Sequence, residues 1–150
     1  MTMIHRIRLY HATLAILAIL TYITGDFEFI HVLLGYGLSV VIIFRLLWAL
    51  SGNKQMGLSR FYPDFEGLNI TNMFTHPAIS KTLLLGIAIT LIIATLTGIL
   101  MDQVTGDGGF WEEIHEFFAN AMLIFVAAHV SYLLLFKRPL AKFMLFIPRK

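Results

Sequence analysis

Residues 114–136, IHEFFANAMLIFVAAHVSYLLLF, form one continuous apolar run that carries two histidines, His115 and His129. The hydrocarbon core of a bilayer needs roughly 20 apolar residues in a helix, within a range of about 17–25. The run therefore has the length of a membrane-spanning helix. Ionisable side chains inside such helices are costly and mark functional sites by default. The two histidines are accordingly the first candidates for a site.

Three further apolar runs cover about residues 7–24, 30–50 and 82–101. Backbone polar groups must be satisfied within each segment in lipid, so we expect four transmembrane helices. The composition agrees, because 58% of the 150 residues are hydrophobic and only 13% are charged, against about 25% charged in soluble domains. The sequence predicts an all-α, integral membrane four-helix bundle that forms a single domain over residues 1–150.

The absence of cysteine narrows the chemistry. It excludes disulfides, iron–sulfur clusters, thiolate zinc sites and covalently attached c-type haem. Any redox or metal site must therefore use other ligands, and the chain has six histidines.

Charge placement predicts the orientation of the bundle. The eleven basic residues all lie in segments 1–8, 51–81 and 137–150, or at Arg45 near the end of the second run. The connections at the other side, residues 25–29 and 102–113, contain acidic residues and no Lys or Arg. Because cytoplasmic loops carry the excess of Lys and Arg, both termini are expected to be cytoplasmic.

Helical geometry sorts four histidines into two pairs. His115 and His129 are fourteen residues apart, which places them on one face of a helix and about 21 Å apart along its axis. His11 begins the first run at the inner side, and His31 begins the second at the outer side. We call His11 and His129 the inner pair, and His31 and His115 the outer pair. Two histidines from different helices at one depth are what bis-histidine ligation of haem requires.

Other interpretations stay open. A single membrane histidine is more often an interhelical hydrogen-bonding residue than a ligand. A zinc site needs about four ligands, and a proton relay needs a chain of titrating groups. Two histidines at each level therefore favour haem binding over a zinc site or a proton relay. A haem-free membrane scaffold and a small transporter are the remaining classes.

Small and basic residues suggest how a haem is accommodated. Gly35, one turn from His31, would let a flat macrocycle approach the backbone, although it equally permits plain helix contact. Arg8, Arg45 and Lys81 are candidate partners for anionic propionates. The alternative for Arg45 is that its side chain extends to the membrane surface.

The two remaining histidines have simpler interpretations. His5 lies at the membrane edge, and His76 precedes Pro77 at the expected first turn of the third helix. We favour surface or capping roles for both, with a quinone pocket as the alternative for His76. Residues 137–150 mix basic and apolar side chains and are predicted to lie at the inner membrane surface.

Several motifs resemble the bacterial cytochrome b561 family, which includes b-type cytochrome subunits of nickel–iron hydrogenases. HEFFANAMLIFVAAH, residues 115–129, resembles the fourth-helix pattern, and HVLLGYGLSVVIIFRLLWALSG, residues 31–52, resembles the second. RLYHATLAIL, residues 8–17, is similar to the first-helix pattern, and TLTGIL, residues 95–100, to a Thr-Gly near the end of the third. The resemblance covers nearly the whole chain.

The resemblance implies two non-covalent haems b whose ligands are His11, His31, His115 and His129. It implies electron transfer between the quinone/quinol pool and a redox partner protein. The expected location is the bacterial cytoplasmic (inner) membrane, where the helices contact lipid. Whether such a carrier also acts as a quinol-linked oxidoreductase of the respiratory chain stays open. The alternative is a membrane-anchor subunit of a larger complex such as a hydrogenase. No nucleic-acid partner is expected.

Overall fold

The computed structural model describes residues 3–50, 62–72, 74–103 and 108–146. Four long helices are present: α1 (Met3–Ile23), α2 (Glu28–Leu50), α3 (Pro77–Gln103) and α4 (Gly108–Phe136), followed by the short α5 (Arg138–Met144). These ranges contain no strand. All four long helices are long and apolar enough to cross a membrane. The predicted all-α architecture with four spans is confirmed, while the single-domain boundary stays a prediction.

The helices extend beyond the apolar runs that predicted them. α3 begins at Pro77 instead of about residue 82, and α4 begins at Gly108 instead of about residue 114. An apolar run marks only the hydrocarbon core, whereas a helix continues through the headgroup region, where polar side chains remain solvated. Proline also suits the first turn of α3, because its missing N–H has no partner there in any case.

The predicted orientation depends partly on residues whose placement is not described. Lys54, Arg60, Asp107, Arg149 and Lys150 lie outside the described residues. The cytoplasmic position of both termini therefore stays a prediction, and we keep the names of the two histidine pairs as defined above.

A central layer of apolar side chains joins the four long helices. It contains one buried residue from each, namely Ala18, Leu38, Leu91 and Met122. Met122 is seven residues from His115 and seven from His129, so it lies about 10.5 Å along α4 from each. The central layer therefore lies midway between the inner and outer pairs.

At the inner end, α5 folds back on the bundle. Ala141 of α5 is buried in a cluster with Tyr132 and Leu133 of α4, and Ile79 and Leu83 of α3 pack against it. The segment that was predicted to lie at the membrane surface is therefore attached to α3 and α4 through one small residue, while most of its other side chains remain exposed.

Candidate functional site

The outer pair is brought together between α2 and α4. The rings of His31 and His115 have their centroids 5.8 Å apart, and their planes are nearly perpendicular at 89°. An imidazole nitrogen binds a metal at about 2 Å, so two imidazoles on opposite sides of one ion have centroids roughly 6 Å apart. The spacing of this pair is therefore that of two imidazoles that would hold one metal centre between them.

Each ring of the outer pair is also held by a backbone carbonyl. His31 Nδ1 lies 2.8 Å from the carbonyl oxygen of Thr21 on α1, and His115 Nδ1 lies 2.8 Å from that of Ala94 on α3. A carbonyl oxygen only accepts, so both Nδ1 atoms carry the proton and donate. A neutral ring then has its lone pair on Nε2. Metal-binding histidines are held in this way by a second partner.

A glycine lets His115 approach the backbone of α3. A Cβ at Gly98 would lie 3.1 Å from His115 Cε1 and 3.3 Å from its Nδ1. The hydroxyl of Thr97 is 3.4 Å from the same Nδ1. The Thr-Gly pair near the end of the third helix thus contacts the ring of the outer pair directly.

Open space lies beside the outer pair on α2. A Cβ at Gly35 would meet no atom within 4 Å. Gly35 follows His31 by four residues, so it lies on the same face of the helix. The position beside Gly35 is therefore open in the structure, and its role beside a macrocycle stays a prediction.

The inner pair has a different environment. His129 is only 8% exposed, and it is the one buried histidine in the described part of the chain. His11 on α1 lies in the neighbourhood of His129. Nδ1 of His129 is buried and has no hydrogen-bond partner among the described residues. Such an unpaired buried group costs about 1–3 kcal/mol.

A second buried polar atom without a partner lies on the same side of the bundle. It is Nε of Arg8, and Arg8 precedes His11 by three residues, so the two share a face of α1. The two unsatisfied buried side-chain atoms of the described residues therefore both belong to the inner level. Groups left unpaired in this way are expected where a further polar group binds.

Comparison with known families identifies the family of the chain. A family model described as prokaryotic cytochrome b561 matches residues 5–146. The chain belongs to the prokaryotic cytochrome b561 family. Cytochromes of this family bind haem b, and this one is a multi-pass membrane b-type cytochrome of electron transport. Comparison with curated proteins and with solved structures gave no significant match.

The residues of this cytochrome fit haem better than a multi-ligand metal ion. No three His or acidic side chains gather to hold a metal within residues 3–50, 62–72, 74–103 and 108–146. Each level instead offers two histidines from different helices. Two such histidines would hold a haem, which needs fewer protein ligands than a zinc ion does.

The basic candidates occupy different surroundings. Arg45 lies near Tyr10, which neighbours His11 in the chain. The hydroxyl of Tyr10 donates to the carbonyl of Val41 at 2.8 Å. Arg45 therefore lies near the inner level. Lys81 instead donates from Nζ to the carbonyl of Tyr62 at 3.4 Å, so the connection before α3 provides its partner.

The two other histidines occupy the positions that their simpler interpretation predicted. The backbone N–H of Ala78 donates to His76 Nδ1 at 3.2 Å, so His76 caps the start of α3. The ring of His5 packs edge-on against Phe146 at 6.5 Å between centroids. The capping role predicted for His76 is confirmed.

Sequence reasoning missed a hydrogen bond that connects α1 to α4. The hydroxyl of Tyr22 donates to Asn120 Oδ1 at 2.8 Å. A signal was present, because Asn120 is a polar residue in an apolar run and belongs to the Ala-Asn element of the fourth-helix motif. A side-chain amide within a membrane helix needs a hydrogen-bond partner. A tyrosine at the same depth on another helix was therefore a predictable partner for Asn120.

Proposed function

We propose that this cytochrome carries electrons across the bacterial cytoplasmic membrane through two haems b, between the quinone/quinol pool and a redox partner protein. The outer pair binds one haem and the inner pair the other. The observation that carries the proposal is the outer pair itself, in which two rings at ligand spacing are both held through Nδ1.

The bound haem iron supplies the one-electron chemistry by changing between the ferric and ferrous states. The residues of the chain determine where that chemistry takes place. The carbonyls of Thr21 and Ala94 fix the tautomer and orientation of the outer rings, and they raise the basicity of Nε2. All four long helices thereby contribute to the outer site, since the two rings are on α2 and α4.

At the inner level, His11 and His129 are the proposed ligands. Arg8 and Arg45 provide the positive charge that anionic propionates require, and a guanidinium forms strong charge-assisted hydrogen bonds to a carboxylate. Nε of Arg8, which has no hydrogen-bond partner among the described residues, is the proposed donor to a propionate.

The central layer separates the two sites. Its side chains are apolar, so they keep water from the space between the two levels and hold the sites at fixed depths. Two one-electron sites in series suit a quinol, which releases two electrons and can be oxidised stepwise.

The haem content of the detergent-purified chain tests the proposal. We expect a pyridine haemochrome assay to give two b-type haems per chain, and His31→Ala and His129→Ala each to leave one. His5→Ala and His76→Ala are matched controls that retain both. A folded chain without haem would overturn the proposal, and one haem would show that one pair is structural. Haems that dithionite reduces but quinols do not would overturn the quinone assignment.

A further inference from the structure

The C-terminal end of the described chain returns to the start of α1. We call residues 138–146, which comprise α5 and the two residues after it, the C-terminal cap. The guanidinium carbon of Arg8 lies 3.6 Å from the ring centroid of Phe146 and 4.9 Å from that of Phe143. The cap is attached to the bundle through Ala141, and these two rings are its contact with α1.

The backbone of Phe146 is in an unfavourable conformation. Its φ is +61°, the one positive value at a non-glycine among the described residues. The left-handed region is sterically unfavourable for an L-residue, because Cβ comes too close to the following carbonyl oxygen. Such conformations persist when surrounding contacts hold them in place, and they concentrate at functional sites. Here the contacts are with Arg8 and with the ring of His5.

Arg8 has a cation–π partner but no anion. A guanidinium stays charged in proteins, and an aromatic face offsets only part of the cost of removing it from water. Its Nε is buried without a partner, and no acidic side chain pairs with Arg8 in the part of the chain that the structure describes. Charges taken out of water require a counter-charge. The guanidinium of Arg8 is therefore without a counter-charge among the described side chains.

We propose that Phe143 and Phe146 are positioning residues for the inner haem, which hold Arg8 on the His11 face of α1 so that its Nε–H donates to a propionate. The inference rests on the proposed function, since it requires a haem at the inner pair. A fixed positive charge beside that haem favours the ferrous over the ferric form, because reduction removes one positive charge from the iron. The cap thus raises the reduction potential of the inner haem.

Potentiometric titration of the haem-loaded cytochrome tests this inference, with the outer haem as internal reference. We expect Arg8→Gln to lower the midpoint potential of the inner haem, with a change of about tenfold in its ferrous-to-ferric ratio, which is 59 mV for one electron. Phe146→Gly should lower the same potential in the same direction by a smaller amount. Phe146→Tyr keeps an aromatic face over Arg8 and should retain the original potential.

The glycine variant separates the ring from the backbone. Glycine adopts a positive φ without steric cost, so Phe146→Gly relieves the strain, and a merely structural role would leave the potential of the inner haem unchanged. Phe117→Leu removes a ring that is 66% exposed on α4 and should alter neither haem. An inner potential that responds to Arg8→Gln but not to Phe146→Gly would overturn the positioning role. A potential that responds to neither would also remove Arg8 from the site.

The failure of the proposed function has a different signature. A cytochrome whose haem content is unaffected by His129→Ala has no haem at the inner pair, and that result overturns both proposals before any potential is compared. Two haems whose inner potential responds to Arg8→Gln but not to Phe146→Gly overturn only the role of Phe143 and Phe146.

Discussion

His31 and His115 face each other with nearly perpendicular rings whose centroids are 5.8 Å apart. Each ring donates from Nδ1 to a backbone carbonyl on another helix, His31 to Thr21 on α1 and His115 to Ala94 on α3. The orientation of the rings therefore depends on the packing of all four helices. A substitution on α3 that replaces neither histidine should consequently alter the outer site.

Gly98→Ala is the most direct such substitution. The added methyl would lie 3.1 Å from His115 Cε1, so the ring must move away from α3 and lengthen its hydrogen bond to Ala94. Overpacking of this kind costs about 1–3 kcal/mol. We expect weaker retention of the outer haem and a changed low-spin electron paramagnetic resonance signal, with the inner haem unaltered.

Gly37→Ala is the matched control for Gly98→Ala. A Cβ at Gly37 would meet no atom within 4 Å, and both substitutions bring the same gain in helix propensity. Unaltered spectra of both haems in Gly98→Ala, as in the control, would contradict the close contact between His115 and α3.

Gly35→Leu tests the space beside the outer pair. The described residues leave this position open, so the variant should fold with unchanged helix content by circular dichroism. A leucine there would occupy the space that the macrocycle needs, and we expect about one haem per chain to be lost. Gly37→Leu, about 200° away around α2, should keep both haems. Two haems in Gly35→Leu would show that the macrocycle lies elsewhere.

The pairing of His31 with His115 was predictable because membrane depth and helical period leave few arrangements for four histidines on three helices. Their carbonyl partners were not predictable, since every residue has a carbonyl and nothing in the side chains of Thr21 or Ala94 signals this role. The sequence indicated Gly98 only through a motif resemblance. The reason why a glycine is needed there, which is the short distance to the ring of His115, is visible only in the structure.

The inner end was harder to predict than the outer end. The pattern of residues 137–150 indicated a surface segment, and most side chains of α5 are indeed exposed. The contact of Phe146 with Arg8, however, depends on the positive φ of Phe146 itself. Sequence periodicity contains no information on such a conformation. Lys81 shows the same limit, because its charge suggested a propionate and its observed partner is a carbonyl of the preceding connection.

His76→Ala should affect stability and leave haem binding intact. It removes the acceptor for the N–H of Ala78 at the start of α3, and loss of a helix cap costs about 0.5–2 kcal/mol. Thermal unfolding in detergent should therefore occur at a lower temperature, while His76→Asn retains an acceptor and most of the stability. Loss of quinol-driven haem reduction at unchanged thermal stability would instead place His76 in a quinone pocket.

Gly86→Ala tests the corresponding close contact near the inner pair. A Cβ at Gly86 would lie 2.7 Å from Cε1 and 2.8 Å from Cδ1 of Phe125, so the phenyl ring must move. Phe125 precedes His129 by four residues and lies on the same face of α4. The strain of about 1–3 kcal/mol exceeds the helix gain of about 1 kcal/mol from replacing glycine. We expect lower thermal stability and a perturbed spectrum of the inner haem, with the outer haem unchanged.

A double-mutant cycle separates this contact from a general effect of alanine in α3. Phe125→Leu alone should destabilise the bundle by leaving a cavity, but it also removes the ring that the methyl group added at Gly86 would strike. The combined variant should therefore be more stable than the sum of the two single effects predicts, by about 0.5–3 kcal/mol, the usual range for residues in contact. Additive effects would mean that α3 and α4 are not in contact at Gly86 and Phe125. The separate sensitivity of the two haems to substitutions at Gly86 and Gly98 would then need another explanation.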